Sequence, residues 1–311
     1  MIEGQEGVTW EQWLALAGAC EEHGVGTLFR SDHYVSFSAP DRAGSLDAWT
    51  TIAALAARTE TLRLGTLVSP ATFRHPSVLA KSVATADHVS GGRVELGLGA
   101  GWMVPEHEQY GIPFPPTRER LEIFAEQLEI VARSWTEERL DFEGRHYRLR
   151  GLIALPRPVQ QPRPPLIVGG SGKPGTLRPA ARWADEYNTP FATLEELRAR
   201  RAGFEQVLRE EGRDPATMRF SLMTGLIVGE TGDEAVERAR LLYEREPRDG
   251  SFDDWLHHYS KASLVGSVDE VTERLREIAA VGVDRVMLQH LLHEDLEPVR
   301  LIGRELAPAL A

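Results

Sequence analysis

The sequence predicts an α/β fold, a parallel (β/α)8 TIM barrel; an open doubly wound sheet is the alternative that pattern alone allows. Short apolar strands alternate with amphipathic helices almost to the end of the chain, and such alternation builds parallel sheets with right-handed crossovers. The 311 residues are a length that α/β barrels fill as one domain. Glycine-rich and polar motifs follow the strands, where ligands gather in both folds. The expected organisation is one domain over 1–311 with an inserted segment, 136–165, after the fourth helix.

Thr9 caps a first helix whose apolar positions Trp10, Trp13, Leu14 and Ala17 recur at helical spacing, and His23-Gly24 ends it. A short strand over 27–29, a helix over 46–57 and a strand over 62–68 follow. The helix over 75–89 has Pro76 at its first position and is stopped by Gly91-Gly92. A strand over 94–98 runs into glycines, and 118–135 is a long amphipathic helix. The inserted segment holds a hairpin around 142–147 and then Pro156, Pro158, Pro162, Pro164 and Pro165, which mark a surface crossing. Beyond it come a strand over 166–168, a helix to Trp183, a strand over 186–188, a helix over 194–211, a strand over 220–228 and a helix over 233–245. Residues 246–260 are polar, with glycine and proline, and are expected to form a mobile loop. Ser267 caps a helix over 268–281; a strand over 285–289 and a final helix close the chain. Seven strands are clear. The eighth must precede the first helix, so a short, truncated first strand is expected from Ile2-Glu3-Gly4, and a natural start upstream of Met1 would explain it.

Lysine and arginine number 35 against 47 aspartate and glutamate, a net charge of −12. That balance argues against duplex nucleic acid and against an anionic membrane surface as partners. Cys20 is the single cysteine, so no intrachain disulfide forms; its mid-helix position makes it a poor nucleophile. The first seven residues lack the basic start and apolar run of a signal peptide, and no apolar stretch approaches the ~20 residues of a membrane span. A cytoplasmic protein is expected.

After the second strand, Asp32 and His33 pair a hydrogen-bond acceptor with a group that exchanges protons near neutral pH. After the third, Arg74 is placed to meet an anionic ligand. Gly97-Leu98-Gly99-Ala100-Gly101-Trp102 follows the fourth; its glycines let backbone approach a ligand, but the third comes one place too early for a dinucleotide fingerprint. After the fifth, Gly169, Gly170, Ser171, Gly172 and Lys173 form a candidate anion-binding concavity. Glu106-His107-Glu108 lacks the two-histidine spacing of a zinc protease, and no early His-x-His pair occurs, so no metal site is expected. His257-His258 reads as solvated.

Taken together, several motifs resemble the bacterial luciferase-like monooxygenase superfamily in its coenzyme F420-dependent branch. They are Leu28-Phe29-Arg30-Ser31-Asp32-His33, the run Leu64 to Pro70 with Phe73-Arg74-His75-Pro76, Ser90 to Trp102, and Glu106-His107. Further on they are Phe142-Glu143-Gly144 with Tyr147, Pro156-Arg157-Pro158, Pro165 to Gly170, Ala184 to Asn188, and Val265-Gly266-Ser267. The resemblance runs from about Ile2 to the C-terminus. It implies a flavin or deazaflavin across the carboxyl end of the barrel. Asp32 and His33 would sit near the ring system. Leu67 and Val68, joined by a non-prolyl cis bond and followed by Ser69, would lie under the central ring. Gly101 and Trp102 would line its other edge, and Gly169, Gly170, Ser171 and Gly172 would hold the phosphate. In the phosphosugar-oxidising members a glutamate takes the place of Trp102, and a lysine follows the strand that here leads into Pro190-Phe191-Ala192-Thr193; both departures argue against sugar-phosphate oxidation.

The implied activity is hydride transfer between F420 and a small organic substrate, with His33 exchanging the accompanying proton. The alternatives are an FMN-dependent monooxygenase using oxygen and a non-catalytic flavin-binding protein. F420 is expected to bind more tightly than FMN. Since the net charge does not help an anion, local attraction must come from Arg74, Lys173 or Arg178. A homodimer is expected.

Overall fold

The computed structural model describes residues 1–39, 41, 43–245 and 250–310. Thr9 and Gln12 form a reciprocal capping box at the start of α1 (Trp10–His23), and Gly24 ends it in the left-handed region at φ 82°. Then come β1 (Thr27–Arg30), α2 (Ala48–Ala56), β2 (Arg63–Pro70), α3 (Pro76–Ser90) and β3 (Val94–Gly99). Next are α4 (Val104–Tyr110), α5 (Thr117–Thr136) and the antiparallel hairpin of β4 (Leu140–Glu143) with β5 (Arg148–Leu152). β6 (Leu166–Gly169), α6 (Pro174–Trp183), β7 (Glu186–Pro190), α7 (Leu194–Glu210) and β8 (Arg219–Gly229) resume the alternation. α8 (Gly232–Glu244), α9 (Phe252–Tyr259), β9 (Leu264–Ser267), α10 (Val268–Ala280), β10 (Arg285–Gln289) and α11 (Glu297–Leu301) complete it.

The strands pair in parallel in the order β1-β2-β3-β6-β7-β8-β10, and β9 pairs the outer end of β8. All seven strands expected from the sequence lie on this path. The two ends of the path are joined by the first residues of the chain. Met1 donates its amine to Leu288 O and accepts from His290 N beside β10. Ile2 donates to Phe29 O and accepts from Ser31 N beside β1. The short first strand is therefore present, but narrower than expected: Ile2 makes one bridge, and Gly4 already lies in a turn.

The interior is packed, not hollow. Phe29, Leu67, Ile167 and Met287 form one buried cluster from four strands. At the amino ends of the strands Arg285 reaches across to Glu95 at 2.8 Å and to Glu186 at 2.7 Å, and Arg63 holds Glu95 at 2.7 Å. β10 and β3 are far apart in strand order, so this bond requires the sheet to curl on itself.

The structure corrects three expectations. Helix α4 escapes the sequence pattern, because it is short, begins at Val104-Pro105 and has no side-chain cap; the inserted hairpin consequently follows the fifth helix. β9 escapes it too, as four residues including a glycine give too little pattern. Of the expected loop over 246–260, residues 246–249 lie outside the described residues, and 252–259 is helical. Phe252, Trp255, Leu256 and Tyr259 recur at helical spacing and pack against Ile227, Ala239, Leu242 and Leu292. Among the described residues no helix is long and apolar enough to cross a membrane.

Candidate active site

The carboxyl ends of β1, β2, β3 and β6 bring the predicted site residues to one end of the sheet. His33 lies just past β1. Its Nδ1 is 2.9 Å from Glu106 Oε1 and 3.1 Å from Oε2, so Nδ1–H donates to that carboxylate. Glu106 is fully buried in the first turn of α4 and also accepts from Tyr34 N at 3.1 Å. The opposite nitrogen, Nε2, has no partner among the described residues. Burial opposes the charged imidazolium, but the hydrogen bond and charge of Glu106, with Glu3 and Asp32 behind it, outweigh burial and hold the His33 pKa above the ordinary histidine value. Sequence reasoning misses Glu106 as a site residue. The chain displays it only beside His107, in a pattern that invites a metal reading and hides an orienting carboxylate.

Asp32 is buried, and its carboxylate is fully engaged. Oδ2 accepts from Ser69 Oγ at 2.6 Å and from Arg74 Nη1 at 2.6 Å, while Oδ1 accepts from Arg74 Nη2 at 3.2 Å. Arg74 also donates to Asp47 Oδ2 at 2.7 Å. Held by two carboxylates, Arg74 is not the free cation the sequence suggests. Asp32 bears on the site through Ser69.

The Leu67–Val68 peptide is cis, as expected, and the β2–β3 register shifts between Thr66 and Ser69. Val68 then seats over glycines. A Cβ on Gly99 would lie 2.7 Å from Val68 Cγ2, one on Gly169 3.0 Å from Cγ1, and one on Gly97 would strike the Thr66 carbonyl. Gly97 and Gly99 thus make room for Val68, whereas the sequence alone assigns them to ligand approach. Because Val68 is stiff at χ1, Gly99→Ala should overpack this site and cost about 1–2 kcal/mol. Chemical denaturation checks it, and an unchanged midpoint would refute the seating argument.

Gly101 takes the left-handed conformation at φ 78°, which turns Trp102 outward. Trp102 is 63% exposed and lies edge-on to His33, with ring centroids 5.6 Å apart. Phe37 completes a triangle, 5.0 Å from His33 and 5.3 Å from Trp102.

Past β6 the glycine run is partly committed to the fold. Gly170 N donates to Asn188 O at 2.9 Å, and Gly172 N to Tyr187 Oη at 3.0 Å. The amides of Ser171 and Lys173 and both their side chains have no partner among the described residues, and α6 begins here without a side-chain cap. Of the three cations the sequence nominates, Arg74 is consumed, and Arg178 lies 3.7 Å from Glu210 and 4.0 Å from Glu211. Lys173 has no ion-pair partner among the described residues. Arg200, not singled out in the sequence, packs beside Gly172 and donates to Thr189 Oγ1 and Pro190 O.

A family model described as luciferase-like monooxygenase matches residues 2–285. The chain is similar to the F420-dependent glucose-6-phosphate dehydrogenase of Kineococcus radiotolerans, 34% identical over 212 residues that cover 65% of this chain and 60% of that one. The chain spans 66% and 60% of the length of two of the curated relatives it matches. Among solved structures it resembles monooxygenase RslO1 from Streptomyces bottropensis, with a TM-score of 0.79 and 26% identity over 97% of this chain and 94% of that one. The coenzyme F420-dependent tetrahydromethanopterin reductase of Methanopyrus kandleri has the same fold, with a TM-score of 0.82 and 19% identity over 100% and 98% of the two chains.

Proposed function

The chain belongs to the luciferase-like monooxygenase family, an enzyme family, and we propose that it is an F420-dependent oxidoreductase that moves a hydride between the deazaflavin and a small organic substrate. Its cofactor is F420 or a flavin; the choice of F420 is the finer proposal. The observation that carries it is the placement of an oriented, partner-free His33 Nε2 on the same end of the sheet as the Leu67–Val68 floor and the open donors of Ser171 and Lys173.

The residues present fit such a group. Ser171 and Lys173 offer two amides, a hydroxyl and an ammonium to a phosphate at the start of α6, and Arg200 adds charge nearby. Any side chain on Gly170 would strike Tyr187 Oη and Thr176 Oγ1, so the backbone there stays low. Leu67 and Val68 supply an apolar floor, and Gly101 and Trp102 an edge. When bound, F420 supplies a two-electron hydride couple. The chain's own work is to orient and to handle a proton. Glu106 holds the imidazole so that Nε2 faces the open side, and Asp32 with Arg74 fixes Ser69 beside the floor. Trp102 and Phe37 pack edge-on against the imidazole. A cytoplasmic homodimer belongs to the same reading.

Titration of the purified chain with F420 and with FMN, followed by fluorescence, tests the proposal. F420 should bind at least about tenfold more tightly, a difference of ~1.4 kcal/mol. Tight FMN binding without F420 binding would replace the reading with an FMN-dependent monooxygenase. F420 binding with no turnover of any acceptor would leave a cofactor-binding protein.

A further inference from the structure

We propose a second ligand site at the amino end of the sheet, opposite the candidate active site, where Arg219 receives a flat organic monocarboxylate. The inference is independent of the oxidoreductase reading, because no residue of the candidate active site takes part in it.

The first residues of β6, β7, β8 and β10, with the segments that lead into them, surround a cavity of about 450 Å³, a size that small-molecule sites share. The strand register builds it. Glu186 pairs with Arg219 across β7 and β8, and Asp284, just before β10, accepts from Phe220 N at 2.8 Å. Pro162 and Pro165 line the cavity ahead of β6, and Pro215 and Met218 ahead of β8. Proline has a fixed φ and no N–H. Those walls therefore ask for no hydrogen bond and are rigid before a ligand arrives, which lowers the cost of binding a flat body.

The charges on the lining decide what that body carries. Each acid there already has a cation. Asp185 is held by Arg163 at 2.5 Å and Glu186 by Arg285 at 2.7 Å, and Asp284 lies 3.6 Å from Arg201. Arg219 lines the same cavity and is exposed, and its guanidinium has no hydrogen bond or ion pair among the described residues. One positive charge is thus left uncompensated, in a chain whose net charge is −12, so attraction for an anion is local to this spot. A planar guanidinium matches a carboxylate through two parallel hydrogen bonds. A doubly charged phosphate would face Asp185, Glu186 and Asp284 with one free cation to offset them, so a single negative charge is the better complement.

The test is a ligand-observed NMR titration of the full chain with three probes of one shape: 2-naphthoate, its uncharged counterpart 2-naphthamide, and the doubly charged 2-naphthyl phosphate above neutral pH. 2-Naphthoate should bind with a dissociation constant of about 0.1–1 mM, and the other two at least about tenfold more weakly. Arg219→Ala should weaken 2-naphthoate about tenfold, the weight of a charge-assisted pair of hydrogen bonds at a solvent-open site. Arg219→Lys keeps the charge without the fork and should fall between the two. Because Arg219 is exposed, both variants should melt with the parent, and the probe series in the unsubstituted chain gives its answer without them. Amide or phosphate binding as tight as the carboxylate would overturn the inference. So would an affinity that ignores Arg219→Ala, which would put the probe elsewhere on the chain, or the absence of saturable 2-naphthoate binding below about 5 mM.

Discussion

Replacing His33 with alanine is expected to lower turnover by about 10²–10³-fold while leaving the F420 dissociation constant nearly unchanged. In the proposed reading the imidazole exchanges the proton; its outer nitrogen has no partner among the described residues, and no phosphate-binding donor depends on it. The pH profile carries a sharper version of the test. The folded-state pKa of His33 is raised, so the imidazolium persists at low pH and is lost as pH rises through that value. A step that needs the protonated form should therefore fail on the alkaline side. Glu106→Gln keeps an acceptor for Nδ1 but removes the charge, so that alkaline limb should move to lower pH. A profile that does not move would demote Glu106 to a packing residue, and full turnover in His33→Ala would remove the proton role altogether.

Replacing Arg285 with alanine should cost about 3 kcal/mol of stability at neutral pH, because it strands the buried Glu186 carboxylate and leaves the buried Glu95 to Arg63 alone. The side chains of Glu95 and Glu186 are 4% and 3% exposed. Their titrations already differ in direction. Burial raises both, but Glu95 has two cations, Arg285 and Arg63, and ends below the ordinary carboxylate value, whereas Glu186 has one cation among the described residues, Arg285, with a Ser221 hydrogen bond, and ends above it. Without Arg285 both folded-state values should rise, that of Glu186 further above the unfolded one. The stability Glu186 contributes is then present when it is protonated and lost as pH rises. The deficit should therefore be largest at neutral pH and shrink in mild acid. Denaturant midpoints of both proteins at the two pH values measure this, and a deficit that grows in acid would contradict it.

Much of the fold is legible from residues that lie close together in the chain. The seven strands of the main path, the caps at Thr9 and Ser267, the glycine stops at Gly24 and Gly91 and the hairpin within the inserted segment all depend on neighbours a few positions apart. The elements that escape, α4, α9 and β9, are short or have their periodicity hidden among polar residues. The cis bond at Leu67–Val68 follows from family resemblance; no spacing in the chain announces it.

The site divides along the same line. Local pattern suffices to say which residue types reach the carboxyl ends of the strands: a histidine after β1, an apolar pair in β2, glycines after β3 and β6, a lysine at the start of α6. The partners of those residues come from the packed fold. It joins His33 to a glutamate 73 residues away and ties Arg74 to Asp32 and Asp47. It seats Val68 on glycines that pattern alone assigns to a ligand, and leaves Lys173 without an ion pair among the described residues. The reason is physical. Propensity, capping and periodicity act within a few residues. Which charge meets which, and which nitrogen stays free, depends on how separate strands are brought side by side when the sheet curls and its ends meet at Met1 and Ile2.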